Sequence, residues 1–329
     1  MVRLFKQLSI PSFLLLLVYA FLVHLNLLIV PTVWDSTVTG TLLYQWMAQG
    51  IDWLTFGNYY AQVGLFLFFL VMQAMMLNRL INQNEITPRR NLLAAMTYVL
   101  FIAFFNKSLF LSPAFLAAFP VIISLGQLFK AFSNKRLSFL FDAGFFIGVA
   151  TLLFPPAFFM IMGVILTMLI TRVFEWREWV VVPLGLFLPF YFMGIGLAFV
   201  PYETLVNHFY YWLPLPQLLN FGHLLTIKGG LRILFFIGVT MVNLWFFRFM
   251  YLKIPIRTRK LLSKSVYYLT AALGIFLLFN TVANGPFILL AIPLSLLSAF
   301  LISQYEKELY MEIIHLVVLI GLVFVQFMY

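Results

Sequence analysis

The sequence predicts an all-α fold: a polytopic transmembrane helical bundle of about eleven spans. Composition is the first of three observations behind this. Of 329 residues, 64% are hydrophobic and only 9% charged, with a mean hydropathy of +1.05. A soluble domain carries roughly 45–50% apolar and about 25% charged residues, so this chain lacks the side chains to cover itself in water. The second is that its apolar residues fall in runs near the ~20 that a membrane-crossing helix requires. The third is that its basic residues alternate between successive loops.

In chain order the runs are 11–31, 59–80, 91–106, 112–130, 139–154, 157–172, 179–199, 231–251, 266–282, 287–303 and 310–328. The first is longer than a signal-peptide core and no small-residue cleavage site follows it, so a retained helix is expected. Three pairs are tight hairpins, broken at Ser112-Pro113, Pro155-Pro156 and Asn284-Gly285-Pro286, where proline cannot continue a helix.

With the N-terminus in the cytoplasm, only Lys107, Lys228 and Arg232 of the 20 Lys and Arg residues fall outside. The other seventeen lie on inside ends. The positive-inside rule therefore gives N-terminus in and C-terminus out, in a bacterial inner membrane. The net charge of +10 reflects helix ends facing anionic headgroups, so membrane lipids are the expected partners and nucleic acid is not.

Several chemistries are excluded. There is no cysteine, hence no disulfide, thiolate or cluster chemistry. His24, His208, His223 and His315 have no metal-ligand spacing, so neither a metal nor another cofactor is expected. The short cytoplasmic loops carry no phosphate-binding glycine motif. None of the acidic residues falls at mid-span, which disfavours an ion-coupled transporter.

Two long outside loops, 32–58 and 200–230, draw the functional reading. The first begins with Asp35 in Val33-Trp34-Asp35-Ser36. Leu43, Trp46, Met47, Ile51 and Leu54 then recur at helical spacing, with Gln45, Gln49 and Asp52 on another side. That is an amphipathic helix suited to lie in the membrane interface, as an anchor or as the wall of a site. The second loop offers Glu203, His208, Tyr211 and Trp212 as binding residues. Aromatic rings with polar tips stack on sugars and equally serve as interface anchors. On the inner side, Arg172 and Arg177 alternate with Glu175, Glu178 and two tryptophans, a pattern that suits ion pairs at the interface or, alternatively, a grip on a partner or a lipid phosphate.

This arrangement resembles the multi-spanning glycosyltransferases of the C superfamily, which use polyprenyl-phosphate sugars. The family places an acidic residue at the start of the first outside loop, then a flat helix, then a second long loop after helix seven. Asp35, residues 41–56 and residues 200–230 match those positions. The resemblance implies a glycosyltransferase-C-like module over 1–250 of a single integral membrane domain 1–329, with 251–329 as additional helices. It implies Asp35 as general base toward the acceptor hydroxyl, and Lys107, Lys228 and Arg232 as holders of the lipid-linked phosphate. The turn Asn106-Lys107-Ser108 lacks the carboxylate of metal-using relatives.

The stretch 141–150, Phe154-Pro155-Pro156 and Arg172 to Trp179 is also similar to an uncharacterised polytopic inner-membrane family of Bacteroidota. The expected function is a glycosyltransferase-like protein at the outer leaflet. The alternatives are a scaffold for other envelope membrane proteins, or a lipid or solute transporter.

Overall fold

The computed structural model describes residues 2–29, 41–105, 110–134, 136–171, 175–198, 227–279, 285–304 and 308–327. All regular structure among the described residues is helical. Helices α1 (Val2–Phe5), α2 (Ile10–Val23), α3 (Asn26–Ile29) and α4 (Leu42–Thr55) precede the long α5 (Tyr59–Gln83). Then follow α6 (Leu93–Ala103), α7 (Pro113–Asn134), α8 (Leu137–Leu153), a 3-10 helix (Pro155–Met160) running into α9 (Ile161–Thr171), and α10 (Trp176–Leu197). The last four are α11 (Ile227–Met250), α12 (Ile256–Leu278), α13 (Pro286–Gln304) and α14 (Glu308–Phe327).

Every predicted apolar run holds a helix. Among the described residues, six of these helices (α5, α7, α10, α11, α12 and α13) are long and apolar enough to cross a membrane. The other runs hold shorter apolar helices. The first run is not one helix. After Val23 the chain tightens: His24 Nδ1 takes the Ala20 carbonyl and Leu25 N bonds Leu22 O, before α3 resumes. The breaks at proline fall as expected, with Pro113 and Pro286 opening α7 and α13, a position where a missing N–H costs nothing.

Contacts sort the helix ends into two opposite faces. At one, Arg257 pairs with Glu85 at 3.2 Å, Arg3 N donates to Glu312 Oε1, and Leu92 N donates to Phe5 O. That gathers α1, the end of α5, and the starts of α6, α12 and α14. At the other, Gln326 Nε2 donates to Val23 O and Ala103 O, Tyr59 hydroxyl to Leu27 O, and Thr41 hydroxyl to Leu153 O. The first face carries Arg3, Arg79, Arg89, Arg90 and Arg257, and is the basic end of the bundle.

Helices α6 and α13 form the centre. Every residue of α6 is buried, as is α13 from Pro286 to Phe300. A helix apolar on all sides belongs inside. They run antiparallel: the Thr97 hydroxyl donates to Ser295 O, while Phe105 stacks on Phe287 at 4.2 Å. Helices α2, α10, α11 and α14 lie outside and expose Leu14, Phe187, Phe192, Met241, Trp245, Val317 and other large apolar side chains. Such a continuous apolar rim is untenable in water and is compatible with an integral membrane protein.

The buried polar groups that lock the centre are largely satisfied within it. Tyr98 donates to Gln73 Oε1 at 2.7 Å, and Gln73 Nε2 donates to Phe115 O at 2.8 Å, tying α6, α5 and α7 together. Ser124 donates to Ala143 O and meets the Tyr268 hydroxyl at 2.8 Å, tying α7, α8 and α12. At the basic end, Asn78, Asn82 and Asn91 share bonds across the α5–α6 turn.

Glycine sets the closest approach. Helices α8 and α10 run parallel, with Gly144 and Gly148 facing the Val182 and Leu186 carbonyls, and Gly185 facing Phe141 O. A Cβ at these positions would come within 2.2–2.4 Å of oxygen. Small residues four apart let helix backbones touch in this way.

Candidate functional site

Most of the residues singled out in the sequence lie outside the described residues: Asp35, Lys107, Glu203, His208, Tyr211 and Trp212. Lys228 and Arg232 fall in the first turns of α11. They are four residues apart in the sequence. Their side chains are not among those described.

The amphipathic helix is present as α4, with a division the sequence did not reveal. At about 100° per residue, its side chains form three faces. Tyr44, Ala48, Ile51 and Thr55 are buried against the bundle, where the Tyr44 hydroxyl donates to Leu111 O. Trp46, Met47 and Leu54 are exposed and apolar. Asp52, on the third face with Gln45 and Gln49, accepts from Gln62 Nε2 at 3.2 Å. Ile51 therefore belongs to the bundle side rather than to the exposed apolar stripe. The helix closes with Phe56 and Gly57 both at positive φ, Gly57 N returning to Asp52 O, a terminator that favours glycine.

A lateral cleft of about 480 Å³ opens between α6, α11, α13 and α14. Its walls are apolar, with Leu100, Phe101, Phe235, Val239, Leu301 and Val318 among them. Its mouth is framed by Leu234, Val242, Trp245 and Ile314, all exposed. Four polar residues interrupt the lining: Thr97, Asn243, Ser298 and His315. Each sits on the turns of its helix nearer the basic end.

Their hydrogen bonds are unequally satisfied. The Thr97 hydroxyl is spent on the Leu93 and Ser295 carbonyls. Asn243 Nδ2 donates to Val239 O at 2.8 Å and Ser298 Oγ at 3.0 Å. Asn243 Oδ1 and His315 Nε2 are buried with no partner among the described residues. Leaving such an atom unpaired costs about 1–3 kcal/mol.

The His315 imidazole packs on Tyr19, centroids 5.8 Å apart. Tyr19 lines a second apolar cleft, of about 520 Å³, between α2 and α14. The aromatic pair thus divides two openings on either side of α14. Elsewhere, Lys264 is buried two turns into α12, its ammonium 5.7 Å from the Phe129 ring centroid.

No family model, no curated protein and no solved structure matches the chain. Among the described residues, no group of three His, Asp or Glu side chains is placed to hold a metal ion. The arrangement offers an apolar recess interrupted by a few polar residues, a usual form of site for a small molecule. Sequence reading passed over it because each polar residue is a single interruption on a different helix. Only their coincidence of depth, invisible along the chain, marks a site.

Proposed function

We propose that this chain is a multi-pass protein of the bacterial inner membrane, crossing it eleven times with its basic end in the cytoplasm. It binds and uses a polyprenyl-phosphate-linked sugar at the outer leaflet, as a glycosyltransferase-C-like module carrying extra C-terminal helices.

The lateral cleft is the observation that carries this reading. It is long, apolar and open toward the exposed flanks of α11 and α14, which suits an isoprenoid tail entering from the bilayer. Along the sequence, α6 ends four residues before Lys107, and Lys228 and Arg232 fall in the first turns of α11, ahead of Leu234. Lys107, Lys228 and Arg232 in this reading hold the phosphate of a tail in the cleft through charge-assisted hydrogen bonds. In this reading Asp35 removes the proton of the attacking hydroxyl, with Glu203, His208, Tyr211 and Trp212 binding the sugar.

Native mass spectrometry of protein extracted gently with its own lipids tests it. A polyprenyl phosphate or its sugar adduct, retained by wild type and lost from Lys107→Ala, Lys228→Ala and Arg232→Ala, supports the reading. Turnover abolished in Asp35→Asn, with the lipid still bound, assigns the base. Bulk phospholipid alone, with a stoichiometric membrane-protein partner retained, overturns it in favour of a scaffold. The exposed aromatic flank of α10, with Trp176, Phe187, Tyr191 and Phe192, favours that second reading.

A further inference from the structure

Helix α11 presents one exposed stripe: Met241, Trp245, Phe249 and, just past its end, Lys253, at four-residue steps. Trp245 and Phe249 stack with centroids 6.0 Å apart and planes 13° from parallel. The Lys253 ammonium caps the stack, 4.5 Å from the Phe249 centroid, an arrangement that holds a cation without neutralising it. We propose that this stripe is a discrete site for one anionic phospholipid of the leaflet at the basic end. Its phosphodiester sits on Lys253 and an acyl chain lies along the rings. The inference rests on the bundle lying in a membrane, and not on the sugar-lipid reading of the cleft.

The turn that carries Lys253 is fixed before any lipid arrives. Arg259 Nη2 donates to Leu252 O at 3.4 Å and to Ile254 O at 3.3 Å, the carbonyls on either side of Lys253. Its guanidinium carbon stands 4.6 Å from the Tyr251 ring centroid. Arg259 is thus a positioning residue for the exposed lysine.

Charge at this corner is one-sided. Arg248, Lys253, Arg257, Arg259 and Lys260 all fall between positions 248 and 260, and no Asp or Glu occurs between Glu203 and Glu306. Glu85 reaches the corner from the end of α5, but it pairs with Arg257. Among the described residues no ion pair engages Arg248, Lys253 or Lys260. A phosphodiester supplies the missing anion through charge-assisted hydrogen bonds. A zwitterionic headgroup brings its own ammonium into the same cluster, so the site selects a lipid of net negative charge.

Length agrees with this chemistry. Met241 to Phe249 spans about 12 Å at the helical rise per residue, close to the hydrocarbon depth of one leaflet, about 15 Å. A chain lying on the stripe therefore brings its phosphate to the level of Lys253.

Trp245 makes occupancy visible by bromine quenching. Full-length protein in phosphatidylcholine nanodiscs receives rising fractions of phosphatidylglycerol or of phosphatidylcholine, each brominated in mid-chain. The difference between wild type and Trp245→Phe isolates the Trp245 signal. The expected result is a relative affinity about fivefold higher for the phosphatidylglycerol, the worth of one well-placed cation. Lys253→Gln brings the two lipids within about twofold of each other, whereas Lys253→Arg keeps the preference. Arg136→Gln also keeps it. Arg136 is exposed at the start of α8 and belongs to the same end of the bundle, since Gln73 and Leu80 of α5 meet Phe115 and Gly126 of α7 in the same order. Equal quenching by both lipids in wild type overturns the headgroup site. A preference that survives Lys253→Gln, or that falls as far in Arg136→Gln, overturns the discrete site in favour of the diffuse field of the basic end. Quenching by neither lipid overturns the membrane reading on which the site rests.

Discussion

A Cβ on Gly148 would lie 2.4 Å from the carbonyl oxygen of Leu186. With Gly144 against Val182 O and Gly185 against Phe141 O, this contact lets α8 and α10 lie backbone to backbone. Helix α10 exposes most of its remaining surface, so it is held to the bundle chiefly through this seam.

Gly148→Ala and Gly185→Ala are therefore expected to loosen α10 by about 1–3 kcal/mol each, the cost of overpacking a filled interface. Gly274→Ala is the control. It meets nothing within 4 Å, lies inside α12, and should stabilise by roughly 0.5–1 kcal/mol through reduced backbone freedom. Thermal unfolding of the three variants in one detergent checks the ordering.

The Tyr98–Gln73–Phe115 relay predicts non-additivity. Tyr98→Phe removes the donor to Gln73 Oε1, and Gln73→Leu additionally strands the buried tyrosine hydroxyl. Each single change should cost about 1–3 kcal/mol. The double variant should cost less than their sum, because no orphaned partner remains across α5 and α6. A double-mutant cycle that closes to zero coupling contradicts this.

At Glu85 two effects oppose one another. Its ion pair with Arg257 is exposed at both ends, 75% and 61%, and such pairs are worth about 0–1 kcal/mol. Its backbone sits at φ 52° after α5, where glycine is at ease and glutamate is not. Glu85→Gly is expected to be neutral or stabilising by up to ~1 kcal/mol, while Glu85→Gln stays within about 0.5 kcal/mol of wild type. Unfolding midpoints in low and high salt separate the two terms.

Orientation is open to a clean test because the chain has no cysteine. Gln49 is exposed on α4 and Arg90 at the basic end. A membrane-impermeant maleimide should label Gln49→Cys in intact cells, and Arg90→Cys only after permeabilisation. The reverse pattern inverts the proposed topology.

The helices were legible because an apolar run of bilayer length admits few other structures. What one side of a helix touches was not. In α4 the apolar spacing of Leu43, Trp46, Met47 and Leu54 was plain, but the bundle face runs through Tyr44, Ala48 and Thr55. These are small or hydroxylated side chains chosen for fit and for a bond to Leu111 O, and neither trait shows as periodicity. Likewise Ser124 and Gln73 read as stray polar residues in apolar runs, although each ties three helices together. The first-loop Asp35 and the aromatic second loop were readable only as motifs, and they lie outside the described residues.

The enclosure of α6 and α13 bears on how this chain tolerates change over generations. A lipid-facing residue such as Met241 or Val317 answers only to solubility in hydrocarbon, so leucine, isoleucine, valine and phenylalanine are interchangeable there. Thr97, Phe105, Phe287 and Ser295 answer to neighbours on every side, and one added methylene has nowhere to go. Lineages of this protein should therefore drift quickly in α10, α11 and α14 while keeping side-chain volumes in α6 and α13 nearly fixed. Two helices that look alike in hydropathy would then diverge at different rates.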